Sequence, residues 1–424
     1  MIKTFVNALK DREIRRRILF TVMILLIYRI GCFIPVPGLN IATVSATLEN
    51  YDFMQIMSTI TGGSLSQGTL FALGILPYIN ASIILQLLTL VIPALKRLRD
   101  EGEEGVKKQT RITRYVTVAL ALIQAIGVSI AWKNAIDPTF GSVEVTQAFI
   151  IFILIGGSML VMWLGDRITE YGIGNGVSLI IFIGIISSFM STFATAVKNI
   201  GNDIKNLWYV LGFLVIIVGL FALIVFVDAA ERRIKVTYGR IIKGNKQYGG
   251  GSTFLPIKVN AGGVMPIIFA SSFLMFPQMI ASFWPTSKFY IWYSQYMGTG
   301  SWVYIIMMSL LILFFAYFYS MIQFDPVEIA RNLKSRSGII PGINPGKPTA
   351  EYLARINNRI TFFGALYLAF LSLIPSVGFA LLGNTTALVN AFTATGMLIV
   401  VSVALEFYQA LEAQLDMKIY DGLV

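Results

Sequence analysis

Residues 207–227 read LWYVLGFLVIIVGLFALIVFV, twenty-one in succession without a charge, and four residues later the chain turns basic at Arg232-Arg233-Ile234-Lys235. At 1.5 Å per residue a helix of that length covers about 31 Å, the thickness of the hydrocarbon core of a bilayer. Nine more runs of this kind lie at 18–36, 70–92, 115–132, 148–164, 177–197, 264–283, 301–322, 360–382 and 387–406. Threaded as ten crossings, they put twenty-eight of the thirty-three Lys and Arg on one side and four on the other, with Arg29 inside a span. Cationic segments resist transfer during insertion, so the charged side is expected to be cytoplasmic, with both termini there.

Composition agrees with an all-α polytopic membrane protein of ten transmembrane helices. The chain of 424 residues is 56% hydrophobic and only 13% charged, with a mean hydropathy of +0.73. In a soluble protein a net charge of +11 would suggest nucleic acid, but here orientation accounts for most of it and no DNA partner is expected. A single cysteine, Cys32, excludes an internal disulfide, and the lack of His removes the usual proton shuttle and commonest metal ligand. The basic stretch 10–17 before the first apolar run has no clean small-residue cleavage site after it, so it is read as leading into a retained first helix.

Five spans precede the outer loop at 198–206 and five follow it, and an odd number per half makes the halves insert with opposite orientation. This is the arithmetic of an inverted repeat, a plan that channels and transporters share. The halves are expected at 1–200 and 201–424, the second carrying large cytoplasmic loops at about 228–262 and 323–359.

Reaction chemistry finds little material. The acidic residues lie in loops and at span ends, so neither a proton relay nor a catalytic pair is expected, and no metal or cofactor. Arg29, the one charge deep in a span, is read as a partner for carbonyls or an acid. The run Gly172-Ile173-Gly174-Asn175-Gly176 lacks the preceding strand of a dinucleotide fingerprint, and the stretch from Gly342 to Lys347 is one residue short of a P-loop. Energy for directed movement must then come from a partner or the membrane potential.

The segment 37–70 breaks the pattern. Phe53, Ile56, Met57 and Ile60 recur at helical spacing before Thr61-Gly62-Gly63-Ser64-Leu65 interrupts, in a piece too short and too polar to cross. It is either a re-entrant stopper received by protein or a surface helix on the outer face. The two large loops pair cations with turn-forming residues, and alternation in 231–238 and 248–260 suggests a β-hairpin. Their cations, Arg232, Arg233 and Arg240 in the first and Lys334, Arg336 and Lys347 in the second, suit acidic lipid headgroups, RNA phosphates or an acidic protein patch, or simply enforce topology.

Several long stretches together resemble the SecY/Sec61 alpha family. They are Tyr28-Arg29-Ile30-Gly31 through Ile34-Pro35-Val36-Pro37-Gly38, Gly62-Gly63-Ser64-Leu65-Ser66, 71–79, Gly165-Asp166-Arg167 into 172–176, and Gly251-Ser252-Thr253 through Phe269-Ala270-Ser271-Ser272. The resemblance implies a protein-conducting channel whose two halves close around an hourglass pore. It assigns a pore ring to Ile75, Ile79, Val177, Ile181, Ile268 and Ile399, and makes the interrupting segment, about 53–68, a plug. Gln86 and Asn175 are placed near a lateral gate between the second and third spans and the seventh and eighth, with interhelical hydrogen bonds expected. The implied partners are SecE and SecG, the ATPase SecA or a translating ribosome on the basic loops, and secretory and membrane-protein clients. Asn344 stands where the family usually carries Arg, so one charge-assisted contact with motor or ribosome is expected to be missing. The competing expectation is a secondary transporter of a small solute, which shares inverted repeats and sites at the bilayer midplane.

Overall fold

The computed structural model describes residues 8–48, 52–139, 141–200, 205–238, 240–243, 246–249, 251–260, 262–282, 287–297, 301–382 and 394–421. In chain order the helices are α1 (Arg12–Gly31), α2 (Ile41–Leu48), α3 (Asp52–Ile60), α4 (Leu76–Val91), α5 (Pro93–Asp100), α6 (Glu103–Ala131), α7 (Val143–Tyr171) and α8 (Gly176–Ile200). They continue with α9 (Lys205–Asp228), α10 (Met265–Ser282), α11 (Lys288–Met297), α12 (Trp302–Gln323), α13 (Pro326–Ser335), α14 (Lys347–Leu382) and α15 (Ala394–Asp421). Five strands stand apart from them: β1 (Glu231–Tyr238), β2 (Arg240–Lys243), β3 (Lys246–Gly249), β4 (Ser252–Lys258) and β5 (Gly338–Ile339).

The expected spans fall on α1, α4, α6 to α10, α12, α14 and α15. Helix α1 shows why they form. Asp11 caps it, accepting from the N–H groups of Glu13 and Ile14 at 2.8 and 3.0 Å. One stripe, Ile14, Ile18, Thr21, Ile24 and Tyr28, is buried, while Leu19, Met23, Leu26 and Ile30 are exposed. A helix apolar on both faces, with only one face covered by protein, is built for lipid. By length and apolarity alone, Glu103–Ala131, Val143–Tyr171, Trp302–Ser335 and Gly396–Leu415 suffice to cross a bilayer; Leu76–Thr89, Gly176–Ser191, Val218–Asp228 and Met265–Gln278 are shorter apolar helices.

Several boundaries differ from the hydropathy reading. The first span ends at Gly31 rather than residue 36, because the chain there runs against α4's approach: Val36 donates to the Gly68 carbonyl at 2.9 Å and Leu70 to that of Ile34 at 2.9 Å. At Gly31 an added Cβ would lie 2.0 Å from the Phe71 ring, so only glycine permits this contact. The second span starts at Leu76 rather than residue 70, after a turn with Gly74 at φ +55°, and Pro77 sits in its first turn. Helices α6 and α14 begin about twelve residues before their apolar runs, at Glu103 and Lys347, because polar helix extends beyond the apolar core and leaves no hydropathy signal. The last expected span starts inside 383–393, which lie outside the described residues.

The two large loops form one body. Strands β1 and β4 pair antiparallel from Glu231 opposite Lys258 to Thr237 opposite Ser252, as the alternation predicts, although the second strand begins at Ser252 rather than 248. Residues 248–249 belong instead to β3, which pairs with β2, a pairing the alternation did not reveal. The second loop adds β5 to the other edge of β1, Thr237 opposite Ile339 and Tyr238 opposite Gly338. Ile234, Val236, Ile257, Leu333, Ile340 and Leu353 close a separate small core between this sheet, α13 and the first turns of α14. Leu353 is fully buried there. Leu353→Ala is expected to cost about 2 to 5 kcal/mol within this body. Limited trypsin digestion would show it as faster cleavage at Arg232, Arg233 and Arg336, with unchanged helical circular dichroism.

Candidate functional site

Between the helices opens a cavity of about 530 Å³. Its walls come from α4, the start of α8, the end of α9, the residues leading into α10, α12 and α15. From Gln409 to Ile399 along α15 is ten residues, about 15 Å of helix, and over this depth the lining changes character. The mouth is polar. Lys258 Nζ donates to Gln409 Oε1 at 3.0 Å, and Asp228 accepts from Asn260 Nδ2 at 2.8 Å and from the Ser402 hydroxyl. Deeper in, Ile79, Val177, Ile181, Ile268 and Ile399 converge from four helices. Five of the six side chains assigned to a ring from sequence therefore share one cavity. Ile75 does not line it: 3% exposed, it points toward α7, where a Cβ on Gly165 would stand 3.4 Å from its Cδ1.

Below the aliphatic level sits α3, in contact with α8 and α10. Successive turns of α8 run from Ile181 in the cavity to Gly184 and then Ser188. A Cβ on Gly184 would come 2.5 Å from the Ile60 carbonyl oxygen, and the Ser188 hydroxyl donates to the Thr59 carbonyl at 3.1 Å. Helix α3 ends by local chemistry. Gly62 adopts φ +72°, Gly63 N–H donates to the Ser58 carbonyl at 2.8 Å and Gly62 N–H to that of Thr59 at 3.3 Å, the hydrogen-bond pair of a Schellman stop. Met57, Ser64 and Leu65 are buried, and Ile60, Gly62 and Gly63 partly so. Of the two readings of this segment, a stopper received by protein or a helix on the outer surface, the packing matches the first. The side chains of Phe53 and Ile56 lie outside the described residues.

Arg29, in the last turn of α1, donates to the Gly62 carbonyl at 3.4 Å, and its guanidinium lies 5.1 Å from the centre of the Phe33 ring. Carbonyl partner is what the sequence predicts for it.

Neither Asn175 nor Gln86 makes the interhelical hydrogen bond expected of it among the described residues. Asn175 Oδ1 accepts from the N–H groups of Val177 and Ser178 at 3.0 and 3.4 Å, so its side chain caps α8 rather than bridging helices. Gln86 Nε2 bonds one turn back, to Ser82 Oγ at 3.4 Å, and its Oε1 has no partner among the described residues. Polar groups do meet where α4 and α6 face α10. Asn80, Gln124 and Ser272 share a small gap with Met57 of α3, and the buried Asn80 Oδ1 and Gln124 Oε1 lack hydrogen-bond partners among the described residues. Sequence reading passed over them although both are polar residues inside apolar spans.

The cations singled out for partners share the protruding body. Arg232 and Arg233 lie exposed on β1, Lys334 and Arg336 at the end of α13, and Asn344 and Lys347 at the turn into α14. Arg233 Nε is engaged by Glu231 at 2.6 Å. The Asn344 carbonyl accepts from the Thr349 hydroxyl at 2.8 Å, so its backbone braces the start of α14 while its side chain is exposed. The Arg240 side chain lies outside the described residues.

Apolar-faced helices around a cavity with a polar mouth and an aliphatic floor, closed beneath by a helix that does not cross, define a polytopic membrane protein of channel form. The SecY family model matches residues 69–408. A "Protein translocase subunit SecY" of Streptomyces galbus is 42% identical, with all of both chains covered. One of Thermotoga maritima is 39% identical, covering all of this chain and 98% of the relative. Among solved structures, one described as a protein conducting channel superposes with a TM-score of 0.67 at 19% identity over 95% of this chain and 93% of the other. Sec61 in a canine ribosome-channel complex gives 0.62 at 18%, over 95% and 93%. The chain belongs to the SecY family.

The cap assignment yields a stability test. Asn175→Ala is expected to lower stability by about 1 kcal/mol, and Asn175→Asp or Ser to preserve it, in thermal unfolding of the purified protein.

Proposed function

We propose that this chain is the pore subunit of a protein translocase, passing unfolded polypeptides across the cytoplasmic membrane and releasing hydrophobic segments sideways into lipid. The convergence of five branched apolar side chains on the floor of one cavity carries this reading. Water at such a constriction is poorly hydrogen-bonded, so hydrated ions are held back, while the side chains yield to an extended polypeptide. The two halves, 1–200 and 201–424, supply opposite walls, and α3 is the plug.

Sideways release follows the line between α4 and α6 on one side and α10 and α12 on the other. Leu, Ile, Phe or Val at a helix centre favours insertion by about 0.3 to 0.6 kcal/mol, whereas Asp, Lys or Arg opposes it by about 2.5 to 3.5. A segment facing the opening is sorted by that sum. The protruding body, with Arg232, Arg233, Lys334, Arg336 and Lys347 on its surface, is the docking site for a motor ATPase of the SecA kind or a translating ribosome. The excess of Lys and Arg on one side supports a cytoplasmic position for this body, both termini and the basic loops, where anionic lipids also meet them. SecE and SecG complete the complex. The chain itself performs no catalysis and needs no cofactor.

A secretory precursor stalled in transit should crosslink to cysteines introduced singly at Ile79, Ile268 and Ile399 in a Cys32→Ser background. A cysteine at Phe152, 76% exposed on α7, should remain unlinked. Equal labelling at Phe152, or none at the three inner positions, is the outcome that contradicts the channel reading.

A further inference from the structure

We propose that Arg29 latches α3 in its seat, so that the sealed state depends on a guanidinium on the first span holding the end of the plug helix. The proposal rests on α3 being the plug. The last turn of any helix leaves carbonyls without partners inside the helix, and these carry its partial negative charge. Two elements outside α3 reach carbonyls at this end, one in its final turn and one at Gly62 in the stop just beyond it. The Ser188 hydroxyl of α8 meets the Thr59 carbonyl at 3.1 Å, and Arg29 Nη1 of α1 meets the Gly62 carbonyl at 3.4 Å. Arg29 itself stands in the last turn of α1, so the contact ties the end of that helix to the stop that follows α3.

Glycines make the approach possible. A Cβ on Gly62 would come 2.8 Å from Arg29 Nη1 and 3.0 Å from the Gly184 Cα, and one on Gly184 would come 2.5 Å from the Ile60 oxygen. Backbone meets backbone there, with the guanidinium closing the third side. Every one of these contacts is made to the final turn of α3 or to Gly62, two residues beyond it. A shift of the helix by one turn loses them as a set, which is what a two-position latch requires. Phe33, stacked on the guanidinium, stays on the α1 side and keeps the cation in place when the helix leaves.

The test uses the assembled translocase in proteoliposomes, in a Cys32→Ser background with Met57→Cys. Met57 is 5% exposed in the seat, so its labelling by a membrane-impermeant cationic thiol reagent reads the position of α3, and ion efflux reads the seal. Losing a hydrogen bond to a charged group should raise the unseated population about tenfold or more. Arg29→Leu is therefore expected to raise both labelling and efflux about tenfold, and Arg29→Lys to rise much less. Gly184→Ala, which leaves Arg29 in place and fills the notch, should also unseat the helix. Wild-type labelling in an intact Arg29→Leu complex overturns the latch; if that variant does not assemble, wild-type labelling in Arg29→Gln does so. Deletion of residues 53–68 separates the two readings. If the deletion leaks while the Arg29 variants stay tight, the latch alone falls; if the deletion does not leak, the plug falls and the latch with it.

Discussion

A backbone amide or carbonyl in the membrane interior must find a partner in the protein, and this constraint governs how residues 32–75 are built. A segment too short to cross cannot lie bare against lipid. Here protein receives it: residues 34–36 pair with 68–70, a Schellman stop closes α3, Ser188 adds a second donor to the Thr59 carbonyl of that stop, and Arg29 takes the carbonyl of Gly62. The glycines at 62, 74 and 184 are consequences of the same requirement, since side chains there would push apart the groups that must meet. The cavity above depends on this seat, because α8 contributes Val177 and Ile181 to the floor and Gly184 and Ser188 to the seat from one continuous helix.

The opposite end obeys aqueous rules. The protruding body has its own core, and pairing of Thr237 and Tyr238 with Ile339 and Gly338 makes the two loops move as one. Helix α14 runs from this body into the bundle without a break and packs against α12. A force applied to the cations on the body therefore has a stiff path toward the cavity walls, where flexible loops would dissipate it.

Much of this was legible in the sequence. Each apolar run that hydropathy located falls on a helix of the structure, the last from Ala394 onward, because an uninterrupted apolar run has few other uses, and alternation at 231–238 revealed the hairpin. The rest failed for identifiable reasons. Helices α6 and α14 begin early because amphipathic turns outside the bilayer look like loops to a hydropathy reading. The interhelical bond expected of Asn175 gives way to a local one, since Asn ahead of Gly-Val-Ser at the start of an apolar run is a helix-capping signal that needs no distant partner. Ile75 belongs to the ring by resemblance alone; in this structure it faces α7, a direction no linear pattern reveals. Asn80 and Gln124 meet only because α4, α6 and α10 pack together, which lies beyond what spacing within one helix can report.

The central claim is that an apolar floor, with α3 beneath it, withholds small hydrated species. Ion conductance of the reconstituted complex carrying Ile181→Ser together with Ile399→Ser, both buried yet facing the cavity, tests it most directly. The account predicts a clear rise in resting conductance over the wild type while the complex stays assembled. Conductance unchanged from the wild type would contradict it, because side chains that can be made polar without consequence are not what holds water back.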